Sequence, residues 1–383
     1  MMTIRNISIR TCAAAAGLLA FAACAADPLD SNVKPDGGST SDASQNNPVP
    51  PPAGVVAAGV RWIGRVDTTN AAQPRFSWSG TGFAAKFNGT SLSADLNVSG
   101  ATTIFKAVVD GAPQAAFTAT SGTATYMLAS GLAAGDHTVE LYRQTEGPQG
   151  ESRLMGLTVG DGALMDPPPG ANRLIEVIGD SITCGYGDLG ALADADCYPT
   201  ESHWDTYEAV AGRALGAEVS TVAASGRGVI RNYGGDTAGT MPMLYPRIVA
   251  NAATPVWDFH VEPQVVVINL GTNDISNSKG DPGDPFRDTY ISLLETIRNE
   301  YPHTYIIGII APLLSGGDLS TIKGHIQAAV DARHAAGDAN VELFGSIPAQ
   351  TTDKFACQYH PNVAENQLMA DMLVGEIKAK LGW

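Results

Sequence analysis

Two hydrophobic rhythms divide this chain. Between residues 55 and 159, apolar positions come in short, partly alternating runs: VRWIGRV (60–66), RFSWSG (75–80), GFAAKF (82–87), SLSADLNV (91–98), TIFKAVVD (103–110), ATYMLA (124–129) and HTVELYRQ (137–144), separated by Gly, Asn and Asp. Alternation broken by frequent turn residues predicts an antiparallel β-sandwich, and Asp110-Gly111 is a hairpin signal. After the proline-rich DGALMDPPPGAN (161–172) the rhythm changes. LIEVIG (174–179), EVSTVAA (218–224), TYIIGIIAP (304–312) and NVELFGSI (340–347) read as strands, and QVVVINLG (264–271) is a continuous apolar run, as expected of a strand buried on both faces. Between them, HWDTYEAVAGRALG (203–216), FRDTYISLLETIRNEY (286–301) and STIKGHIQAAVDARHAAG (320–337) carry a helical period. The chain closes with PNVAENQLMADMLVGEIKAKLG (361–382), where Pro361 suits a first helical turn. Strand and helix in alternation predict a doubly wound, flavodoxin-like α/β domain, in which ligands bind beyond the carboxyl ends of the strands.

The amino-terminal stretch follows neither rhythm. Arg5 and Arg10 precede CAAAAGLLAFAAC (12–24), an apolar run that reads as a signal peptide and is too short to span a bilayer. Its FAAC end resembles a lipobox with Cys24 as the lipidated residue, while Ala-x-Ala at Ala20–Ala22 or Ala23–Ala25 offers an ordinary cleavage site. Residues 25–53 contain almost no large apolar side chains and cannot offset their ordering entropy, so they read as a flexible tether. The expected organisation is therefore signal peptide 1–24, tether 25–53, sandwich 54–165 and α/β domain 171–383. The protein is expected to be exported, as a cell-surface or outer-membrane lipoprotein or in secreted form.

Charge narrows the partners. Asp and Glu number 39 against 23 Lys and Arg, a formal charge of −16. Phosphate recognition needs a basic surface, so nucleic acid is excluded as a partner, and a neutral or weakly charged substrate fits better than an acidic one. The membrane enters only through the lipid anchor. Of the cysteines beyond the signal region, Cys184 and Cys197 share one post-strand loop and are the expected disulfide, leaving Cys357 over. No His and Cys cluster has ligand spacing, so a metal site is not expected.

Candidate chemistry gathers at the strand ends. Gly179-Asp180-Ser181 follows the first strand of the α/β half, AASGRG (223–228) the second, and GTND (271–274) the third; CQYHPN (357–362) precedes the last helix. Alone, each reads as a turn or a helix cap. Together they supply a hydroxyl nucleophile in Ser181, an imidazole base in His360 and donors for a developing oxyanion.

These four blocks resemble those of the SGNH, or GDSL, hydrolases, over the whole α/β half. The sandwich before it, with GRV, FSWSGTGFAAKF and GDHTVELYR, is similar to that of family 2 of the carbohydrate esterases, in which a jelly-roll-like sandwich precedes the hydrolase domain. The resemblance implies an exported acetylxylan-esterase-like enzyme that removes acetyl groups from plant polysaccharide, xylan or glucomannan, with no cofactor. It makes Ser181 the nucleophile and His360 the base, with an oxyanion hole of the Ser181 N–H, the Gly226 N–H (Gly228 as fallback) and the Asn273 side chain. It departs from the SGNH pattern where an aspartate commonly stands two or three residues before the histidine: here those positions hold Gln358 and Cys357. A Ser–His dyad, with a backbone carbonyl at or near Gln358 orienting the imidazole, is the reading this leaves, and Asp353 is a more distant acid. Tyr359, Trp204 and Tyr186 are candidates for stacking on sugar rings, the last two equally at home in a core. His203 reads as a helix-start residue. A lipase, thioesterase or aryl esterase of the same fold, or a glycan-binding protein with a degenerate site, are the alternatives. The G-x-S-x-G elbow of α/β-hydrolases is absent at Ser181.

Overall fold

A computed structural model of the chain describes residues 59–100 and 103–383. The expected signal peptide, the expected lipidation site Cys24 and the expected 25–53 tether lie outside the described residues. The first part builds two antiparallel sheets from β1 (Val60–Ile63), β2 (Arg75–Phe76), β3 (Gly82–Gly89), β4 (Ser91–Val98), β5 (Thr103–Val109), β6 (Ala112–Pro113), β7 (Phe117–Ala119), β8 (Gly122–Ala129), β9 (Gly135–Arg143), β10 (Ser152–Gly160) and β11 (Ala163–Met165). One sheet has seven strands, with β1-β3-β9-β5-β6 as its path, β11 also pairing with β3 and β7 with β5. The other has four, in the order β2-β10-β4-β8. Phe83, Phe87, Phe105 and Leu141 of the first pack on Phe76, Leu92, Leu96 and Leu154 of the second in one core. The alternation that predicts these strands is the alternation of their inward faces. At Asp110 and Gly111 both φ angles are positive (48° and 78°), the conformation a two-residue hairpin loop between β5 and β6 needs.

The second part is a five-stranded parallel sheet of β12 (Leu174–Gly179), β13 (Glu218–Ala223), β14 (Val265–Asn269), β15 (Tyr305–Ile310) and β16 (Val341–Ser346), in the order β13-β12-β14-β15-β16. The helices are α1 (Ser181–Cys184), α2 (Tyr207–Leu215), α3 (Met241–Leu244), α4 (Thr272–Ile275), α5 (Gly283–Glu300), α6 (Gly316–Ala335) and α7 (Val363–Leu381). α5 and α6 cover one face through Phe286, Leu293, Ile322 and Ile326; α2 and α7 cover the other through Tyr207, Leu215, Met369 and Leu373. All five residues of β14 are buried, and its four aliphatic ones, Val265–Ile268, each contribute roughly 1.5–3 kcal/mol. Chain order reverses between β12 and β14, so their carboxyl ends open a crevice at the switch point.

Two boundaries differ from expectation. The last helix is capped by Asn362, whose side chain accepts from the Ala364 and Glu365 N–H groups, so Pro361 stands outside it. His203–Asp205 is a separate 3₁₀ turn ahead of α2.

The sandwich is keyed into the α/β part by buried polar groups. Arg65 is fully buried and donates to Glu176, in the middle of β12, at 2.9 Å, and to the Tyr245 and Arg247 carbonyls. Tyr245 donates to the other oxygen of Glu176 at 2.7 Å. Gly80 of the sandwich lies against the His203 ring so closely that a Cβ there would collide with it. His203 is a buried interface residue, its Nε2 2.8 Å from the Thr221 hydroxyl.

Candidate active site

Ser181 is the first residue of the single turn that leaves β12. Asp180 caps that turn, its carboxylate accepting the Ile182 N–H at 3.1 Å. Gly185, with φ of 77°, ends it. Gly179 has to be glycine, because a Cβ would collide with Thr183. These constraints present Ser181 at the carboxyl edge of the sheet, largely buried, with Oγ 2.8 Å from Nε2 of His360.

His360 arrives from the opposite end of the sequence, from the turn before α7. Its Nδ1 lies 3.2 Å from the Cys357 carbonyl. A carbonyl only accepts, so Nδ1 carries the proton and Nε2 is left to accept from the serine hydroxyl. Asp353 does not take part: it accepts from Thr351 at 2.6 Å. The acceptor expected near Gln358 is thus the residue before it. The imidazole packs edge-on against Tyr186, ring centres 5.0 Å apart, and its loss of water pushes its pKa down to about 4, against the partial support of the carbonyls facing Nδ1.

Asn273, in α4 after β14, joins the strand ends. Its Nδ2 donates to Asp180 at 3.1 Å and to the Arg227 carbonyl at 2.9 Å, so both amide hydrogens are engaged and donation to an oxyanion requires one to be shared. The neighbouring Asp274 accepts the N–H groups of Val229, Ile230 and Arg231 at 2.9, 2.8 and 3.1 Å, pinning the loop after β13. In that loop the Gly228 N–H is directed to Asn232, whereas the Gly226 N–H has no backbone acceptor among the described residues. Gly226, with φ of 75°, is therefore the better placed of the two glycines. As a first-turn residue, Ser181 also has an N–H without an intrahelical acceptor. Burial raises the Asp180 carboxyl to about 7, opposed by the Ile182 N–H and reinforced by nearby Asp274.

The disulfide differs from expectation. Cys197 pairs with Cys357, and Cys184 is a buried free thiol. Sequence proximity misleads here because α1 turns Cys184 toward the sandwich, with Sγ 3.7 Å from Glu146 Oε2, while Cys197 faces the segment leading to His360. Of the aromatic candidates, Tyr186 lies beside the imidazole and Tyr359 is 59% exposed next to it, edge-on to Phe355. Trp204 is not brought to this group: it packs under the Arg213 guanidinium, 4.0 Å from the ring centre, and near Tyr142 of the sandwich.

Two residues of the site escaped sequence reasoning. Glu146, from the loop between β9 and β10, is fully buried and accepts the Ser225 N–H at 2.6 Å, immediately before Gly226. Its partner is 79 positions away, so nothing local marks it. Tyr233, 52% exposed, donates its N–H to the Gly226 carbonyl, and an aromatic residue in a post-strand loop was the available signal.

Comparison with known proteins agrees with this architecture. The family model "Carbohydrate esterase 2 N-terminal" matches residues 62–169, and that of the "GDSL-like Lipase/Acylhydrolase family" matches residues 177–368. The chain is 37% identical over 328 residues to the cellulase/esterase CelE of Acetivibrio thermocellus, covering 85% of this chain and 40% of that protein. It is 27% identical to an acetylxylan esterase / glucomannan deacetylase of Cellvibrio japonicus, covering 80% of this chain and 86% of the relative. The solved structure of a family two carbohydrate esterase from Clostridium thermocellum in complex with cellohexaose is 36% identical, covers 85% of this chain and all of that one (100%), and superposes with a TM-score of 0.81. With both halves matched, and a solved member of the family covered from end to end, the chain belongs to family 2 of the carbohydrate esterases and is a carboxylic-ester hydrolase.

Proposed function

We propose that the protein removes O-acetyl groups from plant polysaccharide, xylan or glucomannan, through an acetyl-enzyme on Ser181. The observation that carries this is the 2.8 Å contact of Ser181 Oγ with His360 Nε2, in a ring whose other nitrogen is held by a carbonyl. Ser181 Oγ attacks the acetyl carbonyl carbon as its proton passes to Nε2. The oxyanion is held by the Ser181 and Gly226 N–H groups and by Asn273. The bond to the sugar oxygen then breaks and Nε2 returns its proton to that oxygen. Water, activated by the same nitrogen, attacks the acetyl carbon and releases acetate with Ser181 restored. The exposed Tyr359 and Tyr233, with Tyr186 beside the ring, would give a saccharide apolar faces to stack on. The acetylxylan and glucomannan activities named for one relative, and the cellohexaose bound by another, support a β-linked glycan as the substrate. Export and lipidation at Cys24 belong to the same reading; palmitate labelling lost in Cys24→Ala is the expected result.

The test is acetate release from acetylated xylan and glucomannan by the soluble chain beside Ser181→Ala and His360→Ala. Each substitution should lower kcat by on the order of 10⁴-fold or more. Wild-type release by Ser181→Ala would sink the proposal, and turnover confined to long acyl chains would replace it with a lipase-like function.

A further inference from the structure

The group that fixes the His360 tautomer is a peptide carbonyl, and a carbonyl is only as fixed as its backbone. Between Cys357 and His360 stand Gln358 and Tyr359, both left-handed at φ 50° and 69° though neither is glycine. Such a segment persists only where its surroundings hold it. On one side it is held by Ala356 N–H donating to the His360 carbonyl at 2.7 Å and Asn362 N–H donating to that of Lys354 at 2.9 Å. On the other stands the bond from fully buried Cys357 to Cys197, 160 positions earlier, with Cα atoms 5.7 Å apart. That bridge lies against the loop that follows Ser181: a Cβ at Gly187 would come within 2.6 Å of Cys357 Cβ and 2.7 Å of Cys197 Cβ. The Cys357 N–H also donates to the Gly187 carbonyl at 3.3 Å. The bridge thus joins the segment carrying the base to the loop that follows the nucleophile.

We propose that the Cys197–Cys357 disulfide is a positioning element of the active site, holding the Cys357 carbonyl within hydrogen-bond reach of His360 Nδ1 and so performing the orienting part that an aspartate side chain plays in a three-residue arrangement. This rests on the Ser181–His360 reading and extends it. A bridge closing so long a loop also constrains the unfolded chain. The experiment must therefore separate positioning from stability.

Two forms are compared with the wild type: the Cys197→Ala/Cys357→Ala double variant, and native protein reduced while folded by a water-soluble phosphine, which becomes the phosphine oxide as the S–S bond becomes two thiols. Values of kcat and KM for an aryl acetate are measured well below each form's melting temperature, with folding checked by circular dichroism. The expected result is a fall in kcat of about 10–100-fold with KM within about twofold, because small misplacements of a reacting group cost rate rather than binding. Re-oxidation of the reduced form should restore the rate. A lower melting temperature with kcat unchanged overturns the proposal, as does unfolding of both forms. Ser181→Ala in the same assay tests the underlying reading by itself: wild-type activity there removes the dyad, whatever the bridge does.

Discussion

At the scale of single residues, the pairing of Ser181 with His360 depends on which imidazole nitrogen is free, and that is settled by a carbonyl rather than by a charge. The dyad should therefore show a pH response set by burial. In the proposed mechanism His360 must be neutral to take the serine proton, and burial lowers its pKa to about 4 from the usual 6.5. Its neutral fraction consequently persists as pH falls, and kcat/KM should stay close to its pH 7 value down to about pH 5, with the acidic limb set by His360 centred near pH 4. A pH series on an aryl acetate checks this, and an acidic limb centred at 6.5 would contradict it. Asn273 makes a second prediction. If Asn273 is the proposed oxyanion donor, Asn273→Ala should lower kcat by about 10²–10³-fold with little change in KM, the usual result of losing one such donor. Because Asn273 also bridges Asp180 and the Arg227 carbonyl, the variant should lose some stability as well, readable as a lower denaturation midpoint.

At the scale of elements, the loop between β9 and β10 matters more than its length suggests, because it sends Glu146 under the loop that carries Gly226. Glu146→Ala leaves the Ser225 N–H without its acceptor, a loss of about 1–3 kcal/mol, and releases the backbone beside a proposed oxyanion donor. Glu146→Gln keeps an acceptor oxygen and should restore most of both stability and kcat; urea midpoints and acetate release measure the two. Strand β14 was legible in the sequence because burial on both faces leaves the four consecutive aliphatic residues Val265–Ile268, and β12 was legible from the aliphatic residues on either side of Glu176. The places of the proposed site residues Ser181, Gly226, Asn273 and His360, in chain order after strands or just before the last helix, were legible as well. β10 was not legible: a bulge between Leu154 and Gly156 breaks its two-residue period. The start of α6 escaped because Gly316, Gly317 and Asp318 carry no apolar face. Glu146 and the Cys197–Cys357 bridge escaped for a different reason. Each is defined by a partner far away in sequence, and no window along the chain contains both members.

At the scale of the whole molecule, the two parts are joined by charge as much as by apolar contact. Arg65 and Glu176 are both buried, and each is the other's counter-ion. Removing one partner of such a pair typically costs about 3–5 kcal/mol, whereas replacing both with well-packed apolar residues can be close to neutral. Arg65→Met should therefore lower the urea midpoint sharply, and the Arg65→Met/Glu176→Met double variant should recover much of the loss. Tryptophan fluorescence and circular dichroism should report one shared transition for the wild type, with Trp78 of the sandwich donating across the junction to the Arg247 carbonyl. The same pair bears on how such a protein can be recombined. The proline-rich connector looks like the natural place to cut and splice, yet a chimera made there parts an arginine from a glutamate and leaves each without its counter-ion. Either half can be grafted onto a foreign partner only if position 65 or 176 is rewritten with it, so these two residues are inherited as one unit even though the chain places more than a hundred others between them.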